Sequence, residues 1–87
     1  MKILYHKNFL KNYRKRIDPN KKLGSKFQNR FDKFLKDPKS PVLKDHQLIG
    51  KKKEYRAFSV TGDTRVVYKK FDNTILLCDI GSHNQVY

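Results

Sequence analysis

The sequence has 87 residues, with 21 Lys and Arg against 8 Asp and Glu and a formal charge of +13. That length admits a single domain, 1–87, with one modest core, and six Phe and five Tyr are too many aromatics for a disordered basic tail. The longest apolar run, Ile75-Leu76-Leu77-Cys78, falls far short of the roughly twenty residues a membrane helix needs.

Lys2–Tyr5 reads as a first strand, and the charges at Lys7 and Lys11 interrupt any export signal. Asn8 is placed to cap a helix in which Phe9, Leu10, Tyr13 and Ile17 recur at helical spacing before Asp18-Pro19. A second helix carries Leu23, Phe27, Phe31, Phe34 and Leu35 on one face and ends at Asp37-Pro38. Rings at that spacing form a packing stripe rather than a base-stacking platform. Pro38 to Lys53 is irregular, a surface loop region with short extended pieces that closes on the basic run Lys51-Lys52-Lys53. Three strand-like runs follow, Tyr55–Val60, Thr64–Lys70 and Thr74–Ile80, joined by hairpin connections at Thr61-Gly62-Asp63 and Phe71-Asp72-Asn73. His83 to Tyr87 is left as a short tail. The expected class is α+β: two N-terminal helices packed on a small, mainly antiparallel four-stranded sheet in the order β-α-α-β-β-β.

The charge is unevenly spread. Residues 1–53 hold 17 basic and 4 acidic side chains, and residues 54–87 hold 4 of each. A solvated surface would carry charge too, but so large an excess on so small a chain favours a polyanionic partner, a nucleic acid. The single cysteine, Cys78, cannot form an internal disulfide and fits a reducing compartment, so the expected location is the cytoplasm, away from membranes.

Of the three histidines, His46 beside Asp45 in a loop and His83 just past the last strand stand where side chains reach a ligand, whereas His6 reads as structural. Two imidazoles flanking a phosphodiester can take a proton from one oxygen and give one to another, which is what RNA cleavage without metal requires. Cys78 and His83 could ligate zinc only if His6 or His46 converged on them, and no paired Cys or His spacing supports that, so neither a metal nor another cofactor is expected. Arg65, on the middle strand of the meander, suits a phosphate, or an internal pair with Asp63 or Asp79. Tyr87 could stack a base and bond a phosphate, or pack as an anchor.

The segments Leu43-Lys44-Asp45-His46-Gln47-Leu48-Ile49-Gly50, Tyr55-Arg56, Asp63-Thr64-Arg65-Val66-Val67-Tyr68 and Ile80-Gly81-Ser82-His83, with Val86-Tyr87, together resemble the RelE superfamily of bacterial toxins, and within it the YafQ-type branch of mRNA interferases. The resemblance covers the whole chain in element order and is specific mainly over residues 43–87. It implies a RelE-like fold and a type II toxin that cuts translated mRNA in the ribosomal A site without metal. It makes His46 the general base, His83 the general acid and Asp63 an orienting or charge-stabilising group. Arg65 and Tyr87, with Lys51, Lys52, Lys53 and Arg56, are then the phosphate- and RNA-binding residues. The implied partners are a cognate acidic antitoxin, the ribosome through its 16S rRNA, and mRNA, with operator DNA reached only through the antitoxin complex. Ser59 stands where the family has a further histidine, and Thr64 where it has a tryptophan.

Two other functions fit the same fold. A ParE-like toxin would inhibit a topoisomerase by binding it, and a basic RNA- or ribosome-binding module would need the charge without the histidines. Protein binding requires no acid and base poised near neutrality, which sets the nuclease ahead of both.

Overall fold

The computed structural model describes residues 1–87. The elements are β1 (Lys2–Tyr5), α1 (Lys7–Arg16), α2 (Lys21–Lys36), β2 (His46–Gln47), β3 (Arg56–Ser59), β4 (Thr64–Phe71), β5 (Thr74–Ser82) and α3 (His83–Val86), with 3-10 turns at Pro41–Leu43 and Gly50–Lys52. The class is α+β, as expected, but the sheet has five strands in the order β1-β5-β4-β3-β2. The added strand is an edge: His46 pairs with Ala57 and Gln47 with Arg56, so part of the expected loop is drawn into the sheet. β1 runs parallel to β5, and all other neighbours are antiparallel.

Local chemistry sets the helix ends. Asn8 is not the cap of α1; His6 is, its Nδ1 accepting the Asn8 amide at 3.0 Å. Asn20 caps α2 by accepting the Leu23 amide at 3.2 Å. Basic residues in the last turns of both helices complement the helix dipole.

The stripe on α2 is core. Phe27 stacks on Phe31, Phe31 on Phe34, and Phe34 on Phe58 of β3 at 4.6 Å, while Phe34 meets Tyr68 of β4 edge-on at 4.9 Å. Burying a ring of this size stabilises the fold by about 1.5–3 kcal/mol. Leu35, at the margin of the stripe, stays exposed. Phe9, Ile17, Leu43, Val60, Val66, Ile75, Leu77 and Ile80 complete this core between the helices and the sheet.

The other face carries a smaller cluster, Leu48, Ala57, Val67 and Val86, flanked by Tyr55 and Cys78. Here the expected tail is a short helix, α3, laid against β4 and β5. It is capped by Ser82, which ends β5 two residues beyond the expected Ile80. A sheet covered on one face by two long helices therefore has its second face only partly covered, and that face holds the candidate site.

Candidate functional site

Strand alternation decides which side chains share the second face. Ala57 and Val67 point into the smaller cluster, so Ser59 and Arg65, two residues along their strands and paired with each other, point the same way. His46 lies opposite Ala57 in register and joins them, as does Gly81 opposite Arg65. The 3-10 turn at Gly50–Lys52 follows β2, and α3 follows β5, at the rim of this face.

Tyr87 gathers the site. Its ring stands edge-on to His83, with centroids 4.5 Å apart, and edge-on to His46 at 6.4 Å. Burial pushes the Tyr87 hydroxyl above the ordinary tyrosine range, and the positive charge of Arg65 nearby partly offsets that rise. The Arg65 guanidinium donates from Nη1 to the Thr61 carbonyl at 2.8 Å and makes no ion pair. Neither internal partner open to it from sequence is used: Asp79 accepts from Asn12 of α1 at 2.7 Å and pairs with Arg16 of the same helix. Asp63 instead binds backbone. Its carbonyl accepts the His83 amide at 3.0 Å, with a carboxylate oxygen 3.4 Å from the same nitrogen, fixing where α3 begins.

The His46 ring has a defined orientation. Its Nδ1 lies 3.0 Å from the Lys44 carbonyl, which can only accept, a contact that favours the neutral tautomer with the proton on Nδ1 and the lone pair on Nε2. His46 and His83 are both exposed. Ser59 is buried beside Arg65, and Thr64 is buried at the head of β4.

The lysines divide. All three of Lys51, Lys52 and Lys53 are exposed, but Lys52 also reaches back to donate to the Val86 carbonyl at 3.3 Å and so braces α3. Arg56, expected among the RNA-binding residues, lies apart from the others. It pairs across the sheet with Tyr68, a core residue, and so faces the helices, and its Nε and Nη2 are both spent on Asp45 Oδ1 at 2.8 and 2.7 Å. It is placed on the face opposite His46.

A cleft of about 560 Å³ also lies on that helix side, between Phe34, Lys44, Arg56, Tyr68 and Lys70. No histidine lines that cleft, whereas both histidines and Arg65 meet on the other face. No three His, Cys, Asp or Glu side chains gather to hold a metal. Cys78 donates to the Leu76 carbonyl at 3.4 Å, and burial raises its thiol above the usual range.

Sequence reading missed α3, which positions both His83 and Tyr87. Its signal is Ser82-x-x-Gln85, a capping box with both reciprocal bonds formed.

A family model described as a bacterial toxin of a type II toxin-antitoxin system, YafQ, matches residues 1–87. No curated protein matches the chain. Among solved structures it is similar to the E. coli DinJ-YafQ complex at 24% identity over 98% of this chain and 96% of that one, with a TM-score of 0.81. It is similar to a metal-bound toxin from Helicobacter pylori at 27% identity over 100% and 99%, with a TM-score of 0.76. A YoeB/ParE toxin from Agrobacterium tumefaciens, at 16% identity over 95% and 99% and a TM-score of 0.80, shares the fold.

Proposed function

Because the chain belongs to the YafQ family of bacterial toxins of type II toxin-antitoxin systems, we propose that it is a ribosome-dependent endoribonuclease that cuts translated mRNA in the A site. The observation that supports this reading is the meeting of His46, His83 and Arg65 around Tyr87 on one face of the sheet. A fold shared with a YoeB/ParE toxin does not choose between cleaving RNA and binding a topoisomerase. The two histidines favour cleavage, because capture of a protein needs no acid and base.

In the reaction, His46 Nε2 takes the proton of the 2′-hydroxyl as its oxygen attacks the adjacent phosphorus. The bond from phosphorus to the 5′-oxygen breaks, and the imidazolium of His83 gives that oxygen a proton. The products are a 2′,3′-cyclic phosphate and a 5′-hydroxyl. Each proton transfer is worth about 10²–10⁴-fold in rate. Arg65 stabilises the charge that builds on the phosphate oxygens, with its remaining guanidinium donors turned to the substrate. Tyr87 offers a ring for an unstacked base, and Asp63 holds the backbone from which His83 projects. With Ser59 in place of a third histidine, the acid-base work falls on two groups, and no step is assigned to a metal.

The same reading supplies partners. The +13 charge lies on the helices and the loop through Lys53, while the meander is charge-balanced. The charge docks the protein on ribosomal RNA and captures an acidic antitoxin, as the DinJ-YafQ complex of the related toxin suggests. Operator DNA would be reached through that antitoxin, and the site of action is the cytoplasm, with the ribosomes.

The test compares wild type with His46→Ala and His83→Ala in a translating extract, mapping mRNA 5′ ends by primer extension. In-frame cuts by wild type that disappear in both variants support the reading. Arrest of translation with intact message would overturn it.

A further inference from the structure

We propose that Asp45 is a positioning residue for His46, and that Arg56 and Tyr68 hold it for that task from the far side of the sheet. This rests on reading His46 as the base.

Asp45 immediately precedes β2, and its side chain reaches Arg56 and Tyr68 on the helix face, whereas His46 lies opposite Ala57 on the other face. The Asp45 carboxylate, whose side chain is only 9% exposed, is held from two strands. One oxygen accepts both Nε and Nη2 of Arg56 on β3, and the other accepts the hydroxyl of Tyr68 on β4. Tyr68 cannot follow a wandering loop, because it is 3% exposed and its ring is fixed between Phe34 and Phe58. The carboxylate is therefore anchored to the buried core.

What precedes it needs such an anchor. Lys44 sits at φ 48°, ψ 38°, in the left-handed region that a side chain with a Cβ rarely adopts. That turn delivers the Lys44 carbonyl to His46 Nδ1. The bond decides which nitrogen is the base, because a ring protonated at Nδ1 has its lone pair on Nε2, whereas a free imidazole side chain prefers the opposite tautomer. Two β2 pairs alone do not hold the turn, since an edge strand of two residues frays readily. A chain of contacts therefore runs from the core through Tyr68 and Asp45 to the turn and the lone pair on the other face. It also gives Arg56 a use that a phosphate contact would forfeit.

The experiment reads the His46 ring directly, by ¹⁵N NMR of imidazole-labelled protein above the histidine titration range. Wild type should show the proton on Nδ1; Asp45→Ala should show a mixture shifted toward Nε2–H, and Tyr68→Phe, which keeps the core ring, should shift the same way. In the cleavage assay both variants should lose about 10- to 100-fold in kcat, as misplacement of a reacting group does, with KM for programmed ribosomes within about twofold. Asp45→Asn, which still accepts from Arg56, should recover part of the rate. A wild-type ring protonated on Nε2 overturns the proposal, as does a tautomer unmoved in folded Tyr68→Phe and Asp45→Ala. Were the tautomer to shift as stated while His46→Ala still cut at full rate, the positioning would stand and the nuclease reading of His46 would fall.

Discussion

Ser82 and Gln85 grip each other across one helical turn: Ser82 Oγ accepts the Gln85 amide at 3.3 Å, and the Gln85 side-chain oxygen accepts the Ser82 amide at 2.8 Å. The helix they close has four residues, too few to persist in water unaided. It nevertheless carries His83 and bonds the Tyr87 amide to the His83 carbonyl at 3.1 Å. Ser82→Ala should therefore cost about 1 kcal/mol, felt mostly in α3. Hydrogen exchange at the Tyr87 amide should quicken about fivefold, and cleavage should fall while the circular dichroism spectrum stays close to wild type. An unchanged exchange rate at Tyr87 would show that α3 is held by other contacts.

Three consecutive lysines are expected to behave differently. Lys51 and Lys53 are exposed, so Lys51→Ala and Lys53→Ala should weaken ribosome association, each lowering the slope of log affinity against log salt by about 0.7–0.9, with kcat retained. Lys52 also braces the Val86 carbonyl, so Lys52→Ala should lower kcat as well as affinity. Steady-state cleavage at several salt concentrations separates the two effects. Equal behaviour of all three variants would remove the brace from the account.

Most of the fold was legible because its signals are local. The Phe27, Phe31, Phe34 stripe gave α2, and Asp-Pro pairs marked where both long helices stop. Three signals were not. His6 caps α1 through a ring nitrogen, a role usually filled by Ser, Thr, Asp or Asn. The edge strand at His46–Gln47 has almost no pattern of its own and exists because β3 offers it an edge. Arg56 was grouped with the RNA-binding residues because an arginine on a strand is ambiguous; its direction depends on the register of β3 against β4, which places it beside Tyr68 rather than Arg65. In the site, His46, His83 and Tyr87 each stand out in the sequence, but their meeting does not, since Tyr87 reaches both rings only after α3 has turned the chain back.

Gly81 is a position where a methyl group has no room. A Cβ there would lie 2.7 Å from Arg16 Nη1, 2.7 Å from Gln85 Oε1 and 3.2 Å from Gln85 Cβ. Neither polar end is free to move, as Arg16 donates to the Ile80 carbonyl at 3.0 Å and Gln85 closes the cap of α3. Gly81→Ala should destabilise the protein by about 1–3 kcal/mol. Gly62→Ala is the control: its Cβ would meet nothing within 4 Å, and the lost chain entropy of the unfolded state should raise stability by about 0.4–1 kcal/mol. Urea titration of both variants checks the contrast, and equal midpoints would contradict it.

Alkaline stability should depend on Tyr68. Burial holds its hydroxyl well above the ordinary tyrosine value of 10.0, reinforced by the hydrogen bond to Asp45 and opposed by Arg56. The folded chain thus keeps a proton that the unfolded chain releases near pH 10. Below pH 10 both states are protonated and the contribution to stability is intact; above it the unfolded state alone sheds the proton, so stability falls as pH rises toward the folded value. The slope for one proton is about 1.4 kcal/mol per pH unit. Tyr13 and Tyr87, also raised chiefly by burial, add to the same trend. Denaturant titrations at pH 9 and pH 11 should show wild type losing more stability than Tyr68→Phe over that interval, although the variant starts lower because a buried Asp45 oxygen has lost its donor. Parallel losses in the two proteins would mean that the Tyr68 proton is not retained on folding, and that the contact with Asp45 is weaker than its geometry indicates.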